Sequence, residues 1–163
     1  MARKKAIPEN KPAPIDSPAH RRLPPLLRRA WYSLNQAFRR RISHIGITPD
    51  QFTILRWLIE DESLGLTQRQ LGELMSSDPN TITSLLTRME NFDLIQRKPH
   101  ETDRRSKRIR IRPAGRKAYQ RARLVAIELQ SEIMGSLGVD NREDFLATLE
   151  AVADACRDAV DVS

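Results

Sequence analysis

The feature that most constrains the fold of this chain is a helix-start signature that occurs twice. In each copy an apolar residue precedes a threonine, and a glutamine follows three residues later, as in Ile47-Thr48-Pro49-Asp50-Gln51 and Leu66-Thr67-Gln68-Arg69-Gln70. The threonine side chain of such a capping box accepts from the amide of the third helical residue, whose glutamine bonds back. The sequence therefore predicts short helices over residues 49–60 and 68–75.

A third helix start follows after a polar turn. Asp78 precedes Pro79, and a residue before proline avoids the α region, so Asp78 is suited to the N-cap. Two short helices joined by a tight turn form a helix-turn-helix. The second helix leaves six hydrogen-bonding side chains on its outer face, the kind that read base edges in a DNA major groove. These six residues are Asn80, Thr81, Thr83, Ser84, Thr87 and Arg88.

Beyond Asn91 the apolar period changes from helical spacing to alternation. Residues 94–98 and 107–112 read as two antiparallel strands joined by a charged loop, with isoleucines on one face and cations on the other. A hairpin directly after a recognition helix is a wing. Its candidate DNA contacts are Asp103, Arg104, Arg105, Lys107 and Arg108. The acid is placed to orient a neighbouring arginine toward a narrow minor groove.

The charge distribution points to the same partner. Residues 96–123 contain 12 basic and two acidic side chains, whereas the whole chain has a net charge of +7. A concentrated basic stripe is the electrostatic footprint of a polyanion such as nucleic acid. The alternative interpretation is an ordinary solvated charged face. That interpretation would be favoured if the net charge of +7 were scattered over the chain.

The rest of the chain is organised around this central region. Residues 1–22 are proline-rich and basic and are predicted to be a disordered tail. Residues 23–46 and 113–160 are helical, with apolar stripes too wide for one protomer to cover, so they are predicted to form a dimerisation region. Residues 47–112 form the DNA-binding domain. The predicted fold is mainly α, a winged helix-turn-helix with a two-stranded β wing and a helical dimerisation domain from both chain ends.

Several classes of function are excluded by what the chain lacks. It contains no nucleophile motif, phosphate-binding glycine loop or metal-ligand spacing, so neither an enzyme nor a cofactor or metal is expected. Its single cysteine, Cys156, lies on the apolar stripe of the last helix and is expected to pack there as a small hydrophobe. No apolar run approaches the ~18 residues of a membrane span, and a cytoplasmic location is expected.

Taken together, these motifs resemble the MarR family of transcriptional regulators, over about residues 25–160. The resemblance is carried by the two capping-box runs and by three later motifs: Leu94-Ile95-Gln96-Arg97, Asp103-Arg104-Arg105 and Ile109-Arg110-Ile111-Arg112-Pro113-Ala114-Gly115. It implies that the helix of residues 78–91 enters the major groove and Arg105 the minor groove. It also implies a homodimer built from helices one, five and six.

The resemblance also implies an effector ligand, and the chain differs from the family pattern at two positions. Family members bind small, often aromatic, effectors, and Arg28, Trp31, Tyr32 and Trp57 are the residues here that offer a cation and aromatic walls. The alternative is that the two tryptophans are core and the arginine is solvated. Asp93 stands where the family usually has glycine, and Arg112 where a threonine usually caps helix five. The peroxide-sensing branch has a cysteine near the start of helix one, which this chain lacks.

The predicted function is therefore a sequence-specific, double-stranded DNA-binding regulator, most often a repressor. It would act as a homodimer that leaves a pseudo-palindromic operator when a small ligand binds. The alternative is a ligand-insensitive DNA architectural factor or a protein-interaction module on the same fold.

Overall fold

The computed structural model describes residues 22–61, 65–99, 107–138 and 141–161 as six α-helices and three short β-strands. The helices are α1 (Leu23–Ile42), α2 (Pro49–Glu60), α3 (Gln68–Leu74), α4 (Pro79–Asn91), α5 (Pro113–Met134) and α6 (Arg142–Asp161). The strands are β1 (Leu66–Thr67), β2 (Ile95–Pro99) and β3 (Lys107–Ile111). The chain divides into two compact units, one ending at Ala37 and the other beginning at Phe38. The predicted mainly α, winged-helix class is confirmed.

Both predicted capping boxes are present. Thr48 accepts from the Gln51 amide while the Gln51 side chain accepts from the Thr48 amide, and Thr67 and Gln70 make the same exchange. Asp78 caps α4 as expected, accepting from the two amides that follow Pro79. These bonds satisfy amides that the first turn of a helix otherwise leaves unpaired. The starts of α2, α3 and α4 are thus set by their own local sequence.

The sheet has one more strand than the sequence predicted. The order is β1-β3-β2, all antiparallel, with Leu66 opposite Ile109 and Ile95 opposite Ile111. The two residues of β1 were interpreted only as the start of α3. Because they pair with β3, they attach the base of the wing to the beginning of the helix-turn-helix. Gly65 precedes them with a φ of +77°, and a Cβ there would lie 2.6 Å from the Ile109 carbonyl oxygen.

The core of the second unit joins the helix-turn-helix to the wing. Nine large side chains are almost completely buried: Ile42, Ile54, Leu55, Leu71, Ile82, Leu86, Met89, Ile95 and Ile109. An aromatic group extends this core, since Phe52 meets Phe38 edge to face and stacks on Tyr119, with ring centroids 5.0 and 5.2 Å apart. Aromatic pairs at these distances add to the burial energy. Helix α4 is therefore packed on this core through Ile82, Leu86 and Met89.

Not every apolar residue of the helices is buried in the described protomer. Ile59 is only half-buried, whereas Ile54 on the neighbouring turn is fully buried. Leu74 and Ile133 are exposed by about two fifths of their surface in the described protomer. Cys156 was expected to pack as a small hydrophobe, but it is exposed. The reason is that α6 contributes no buried residue to this protomer.

The two departures from the family pattern lie next to each other. Asp93 adopts the left-handed conformation with a φ of 59°, which aspartate tolerates better than most residues. Arg112 makes no side-chain cap of α5; its Nε instead lies 3.1 Å from Asp93 Oδ1. Both side chains are more than two fifths exposed, so the ion pair contributes about 0–1 kcal/mol. Its main consequence is to join the turn after α4 to the start of α5.

Candidate nucleic-acid interface

The outer face of α4 is polar and exposed along its whole length. The four apolar positions, Ile82, Leu85, Leu86 and Met89, are all buried. The six residues predicted to bind DNA, from Asn80 to Arg88, are all exposed. One side of the helix therefore holds it to the protein, and the other is available to a partner.

Asp78 fixes the first turn of this helix. Its carboxylate accepts from the Thr81 hydroxyl and from the amides of Thr81 and Asn80, the latter two at 3.0 Å. The hydroxyl bond is the largest of the causes that lower the pKa of Asp78 below its ordinary value of 3.8. A negative charge at a helix N-terminus is also favoured by the helix dipole. The Thr81 side chain is thus committed to the cap in the free protein.

This cap gives a testable pH dependence. A carboxyl whose pKa is lowered by folding stabilises the protein above its unfolded pKa, and that stability disappears as the pH falls through the folded pKa. We expect Asp78→Asn to be less stable than the wild type at pH 7 in urea unfolding, and the difference to shrink as the pH falls below the ordinary value of 3.8 and through the lower pKa of the folded protein. The control is Asp50→Asn, a first-turn carboxylate of α2 that is not the N-cap. A difference in stability that does not change as the pH falls below the ordinary carboxyl pKa would contradict this account.

Two further threonines of α4 are occupied by neighbouring elements. The Thr83 hydroxyl donates to the Pro79 carbonyl at 2.7 Å and accepts from Gln68 Nε2 at 2.8 Å. The Thr87 hydroxyl donates to the Thr83 carbonyl at 2.9 Å and accepts from Arg97 Nη2 at 3.3 Å. A hydroxyl has one proton to donate. In the free protein these two side chains therefore have acceptor capacity and a methyl group to offer, but no free donor.

The remaining three predicted readers have free polar atoms. Asn80, Ser84 and Arg88 recur every fourth residue and so lie along one stripe of α4. The side-chain amide of Asn80 and the hydroxyl of Ser84 have no partner in the part of the chain that the structure describes. Arg88 makes one long bond, from Nε to the Ser84 carbonyl at 3.4 Å, which leaves its terminal nitrogens available. An asparagine and an arginine are suited to bidentate contacts with adenine and guanine.

The wing presents its cations unevenly. Lys98 and Lys107, near the open end of the β2–β3 pair, are exposed. Arg108 is half-buried and donates to the Gly65 carbonyl at 2.9 Å, so this predicted DNA contact is engaged within the protein. The predicted residues Asp103, Arg104 and Arg105 lie outside the described residues.

The four residues suggested for a ligand fall in both units. Arg28, Trp31 and Tyr32 share one side of α1 in the first unit, where the two aromatic rings are 64% and 65% exposed. Trp57, on α2 in the second unit, is half-buried, and its Nε1 is buried without a hydrogen-bond partner in the described structure. None of the four lines the open groove of about 560 Å³ between α3 and the start of α4. A ligand pocket formed by these residues stays a prediction.

The sheet attached to a helix-turn-helix and the polar exposed second helix define a winged-helix protein with a recognition helix. Comparison with known proteins agrees, since residues 47–107 match the model of the MarR family. This match, which spans residues 47–107 of the 163, agrees with the resemblance that the sequence motifs carry. No helix within the described residues is long and apolar enough to cross a membrane.

Individual relatives extend the comparison. Over 104 residues the chain is 33% identical to an organic hydroperoxide resistance transcriptional regulator of Bacillus subtilis, covering 64% of this chain and 66% of that protein. Over 88 residues it is 35% identical to YsmB, an uncharacterised HTH-type transcriptional regulator of the same species, covering 53% of this chain and 58% of that protein. The matches thus span less than two thirds of either relative.

A solved structure is similar over a longer stretch. The Mycobacterium tuberculosis transcriptional regulator MosR in complex with DNA shares 29% identity with a TM-score of 0.66, covering 81% of this chain and 96% of that chain. The relatives named here are transcriptional regulators rather than enzymes, in agreement with the sequence prediction.

Proposed function

We propose that this protein is a sequence-specific, double-stranded DNA-binding transcriptional regulator that acts as a repressor. The observation that carries the proposal is the exposed stripe of free polar side chains on α4, at Asn80, Ser84 and Arg88. A capped helix presenting such groups beside a cationic hairpin has the composition of a major-groove reader. The MosR–DNA complex, a structural relative, supports the same partner. A chromosomal target would place the protein in the cytoplasm.

The wing completes the proposed interface. Lys98 and Lys107 are exposed at its open end, and the loop they flank contains Asp103, Arg104 and Arg105. We propose that this loop reaches the adjacent minor groove, with Arg105 inserted. Phosphate contacts by the lysines would fix the register without reading sequence. Arg108 is left out of this proposal because it is bonded to Gly65.

The functional unit is proposed to be a homodimer. Within the second unit, α5 and α6 expose apolar side chains that include Leu124, Ile127, Phe145 and Leu149. In the first unit, α1 exposes Trp31 and Tyr32 and several leucines. Exposed apolar patches of this extent mark an interface. A twofold dimer would require a pseudo-palindromic operator with half-sites about 10 base pairs apart.

Release of DNA by a small aromatic acid is proposed as the regulatory step. Trp57 Nε1 supports it, because a buried donor without a partner costs about 1–3 kcal/mol that an acceptor group on a ligand would recover. Arg28, Trp31 and Tyr32, which lie in the first unit, are kept as candidate ligand residues because they offer a cation and aromatic surface.

Footprinting across random genomic fragments tests the function. One protected pseudo-palindromic sequence is the expected result, and uniform protection would instead identify an architectural protein. Absence of any protected DNA at low salt would overturn the proposal. Adding aromatic acids to the protected fragment then tests ligand-dependent release.

Arg88 provides a test at the level of one residue. We expect Arg88→Ala to weaken binding to the protected sequence by about 1–3 kcal/mol and to relax discrimination at one base pair of each half-site. Competition with duplexes substituted singly at each position measures both effects. Arg56→Ala, which removes a similar charge from α2, is the control and should bind nearly as the wild type does. Loss of affinity with unchanged discrimination would reassign Arg88 to a phosphate contact.

A further inference from the structure

Arg97 joins the wing to the recognition helix through three hydrogen bonds. Its Nη1 lies 3.1 Å from Glu90 Oε2, its backbone amide donates to Glu90 Oε1 at 3.3 Å, and its Nη2 donates to Thr87 Oγ1 at 3.3 Å. Arg97 belongs to β2, and Thr87 and Glu90 lie on the second half of α4. One residue of the wing therefore holds two positions of α4 that lie about one helical turn apart, Thr87 and Glu90.

This cluster is built as a support and not as a surface for DNA. The Arg97 side chain is only 21% exposed, and its charge is matched by Glu90. A phosphate ligand needs an accessible, uncompensated cation, which Arg97 is not. Glu90 carries a negative charge, so the phosphates of DNA would repel its carboxylate.

Gln68 makes a similar contact nearer the start of α4. It is the first residue of α3, and it donates to the hydroxyl of Thr83, which lies one turn before Thr87. Thr83 and Thr87 thus receive bonds from two different elements, α3 and β2. Because both hydroxyls also bond back to α4 carbonyls, these contacts define the position of the helix rather than its reading surface.

We propose that Glu90 and Arg97 are a positioning pair that sets the orientation of the recognition helix relative to the wing, and that DNA affinity depends on this pair without either residue touching DNA. The inference rests on the proposed DNA-binding function. Reading two grooves at once requires the helix and the hairpin to be held in a fixed geometry, since displacements of about 0.5 Å already weaken a recognition site. The bonds of Arg97 supply that constraint between α4 and β2.

The change in DNA affinity caused by Glu90→Ala distinguishes the positioning pair from a purely electrostatic effect, because the two predict opposite signs. Removing an anion near a polyanion partner strengthens attraction, so Glu90→Ala would bind DNA more tightly if charge alone mattered. The positioning pair predicts the opposite, a loss of about 5-fold or more. Glu60→Ala is the matched control: Glu60 also ends a helix and pairs with an arginine, Arg56, at 2.8 Å. Binding is measured to the footprinted duplex and to a scrambled duplex of equal length.

Arg97 variants give an independent readout. We expect Arg97→Ala to weaken specific binding by at least about 5-fold while leaving the slope of log affinity against log salt unchanged. A direct phosphate contact would instead reduce the slope by about 0.9. Arg97→Lys, which keeps the ion pair but loses the fork to Thr87, should recover part of the affinity. Thermal unfolding identifies any variant that fails to fold, in which case Glu90→Ala carries the test.

The outcomes distinguish a failure of the proposed DNA-binding function from a failure of the positioning pair. If the wild type protects no DNA, the proposed function fails. If the wild type binds and Glu90→Ala binds as tightly as Glu60→Ala or more tightly, the positioning pair is overturned and the function stands. A reduced salt slope for Arg97→Ala likewise overturns it, by placing Arg97 on a phosphate. Weaker binding by both variants with an unchanged slope supports the inference.

Discussion

Gly115→Ala should destabilise the protein by about 3 kcal/mol or more. A Cβ at this position would overlap the Leu94 carbonyl oxygen and lie 3.0 Å from Leu55 Cδ2. The obstruction is backbone, which cannot rotate away as the end of a flexible side chain does. The same carbonyl accepts from the Arg112 amide at 3.0 Å, so relief of the overlap would also disturb the start of α5.

Urea unfolding measures this effect, with Gly72→Ala as the control. Gly72 lies inside α3, and its Cβ would meet Ser77 O at 3.5 Å and Ile82 Cγ1 at 3.9 Å, both ordinary contacts. Alanine in a helix interior is favoured over glycine by about 0.5–1 kcal/mol, so this variant should be slightly more stable than the wild type. Equal stabilities for the two alanine variants would show that α5 does not approach Leu94 so closely.

The helix starts were predictable from sequence because their causes are local. Thr48 and Gln51, or Thr67 and Gln70, are three residues apart and meet whenever a helix begins between them. The burial of Ile82, Leu85, Leu86 and Met89 follows from helical period in the same way. These features require no knowledge of what lies elsewhere in the chain.

The features that the sequence did not predict depend on contacts between distant segments. Strand β1 exists because Leu66 meets Ile109, 43 positions later. Asp93 and Arg112 were each recognised as unusual, but only the closed fold brings them within 3.1 Å. The spacing of apolar residues identifies which face of a helix is polar. It does not identify which polar atoms on that face already form hydrogen bonds within the protein.

That distinction changes the view of the candidate interface. The pattern grouped six residues of α4 as equivalent readers. In the structure the hydroxyls of Thr81, Thr83 and Thr87 have given their protons to acceptors within the protein. Their roles in DNA binding remain a prediction, but only as acceptors or methyl groups. Asn80, Ser84 and Arg88 are left as the donors of the proposed site.

Leu149→Glu should convert the proposed dimer into a folded monomer and reduce operator affinity by about 100-fold or more. Leu149 is 39% exposed on α6, beside Phe145 at 44% and Leu146 at 37%. A carboxylate in an apolar interface loses its hydration without gaining a partner. Since α6 adds no buried residue to the described protomer, the fold of one protomer should survive. Two monomers would then bind the two half-sites independently, and the affinity that a dimer gains by binding both half-sites at once would be lost.

Sedimentation velocity and circular dichroism measure assembly and folding, and titration of the footprinted duplex measures affinity. Ala151→Glu is the matched control, because two residues further along a helix the same charge points to the opposite side. It should leave both assembly and affinity close to those of the wild type. Dimeric Leu149→Glu with full affinity would remove α6 from the interface. A wild-type protein that is monomeric and still protects a palindrome would contradict the proposed homodimer. The exposed apolar face of α6 would then have to bind another partner.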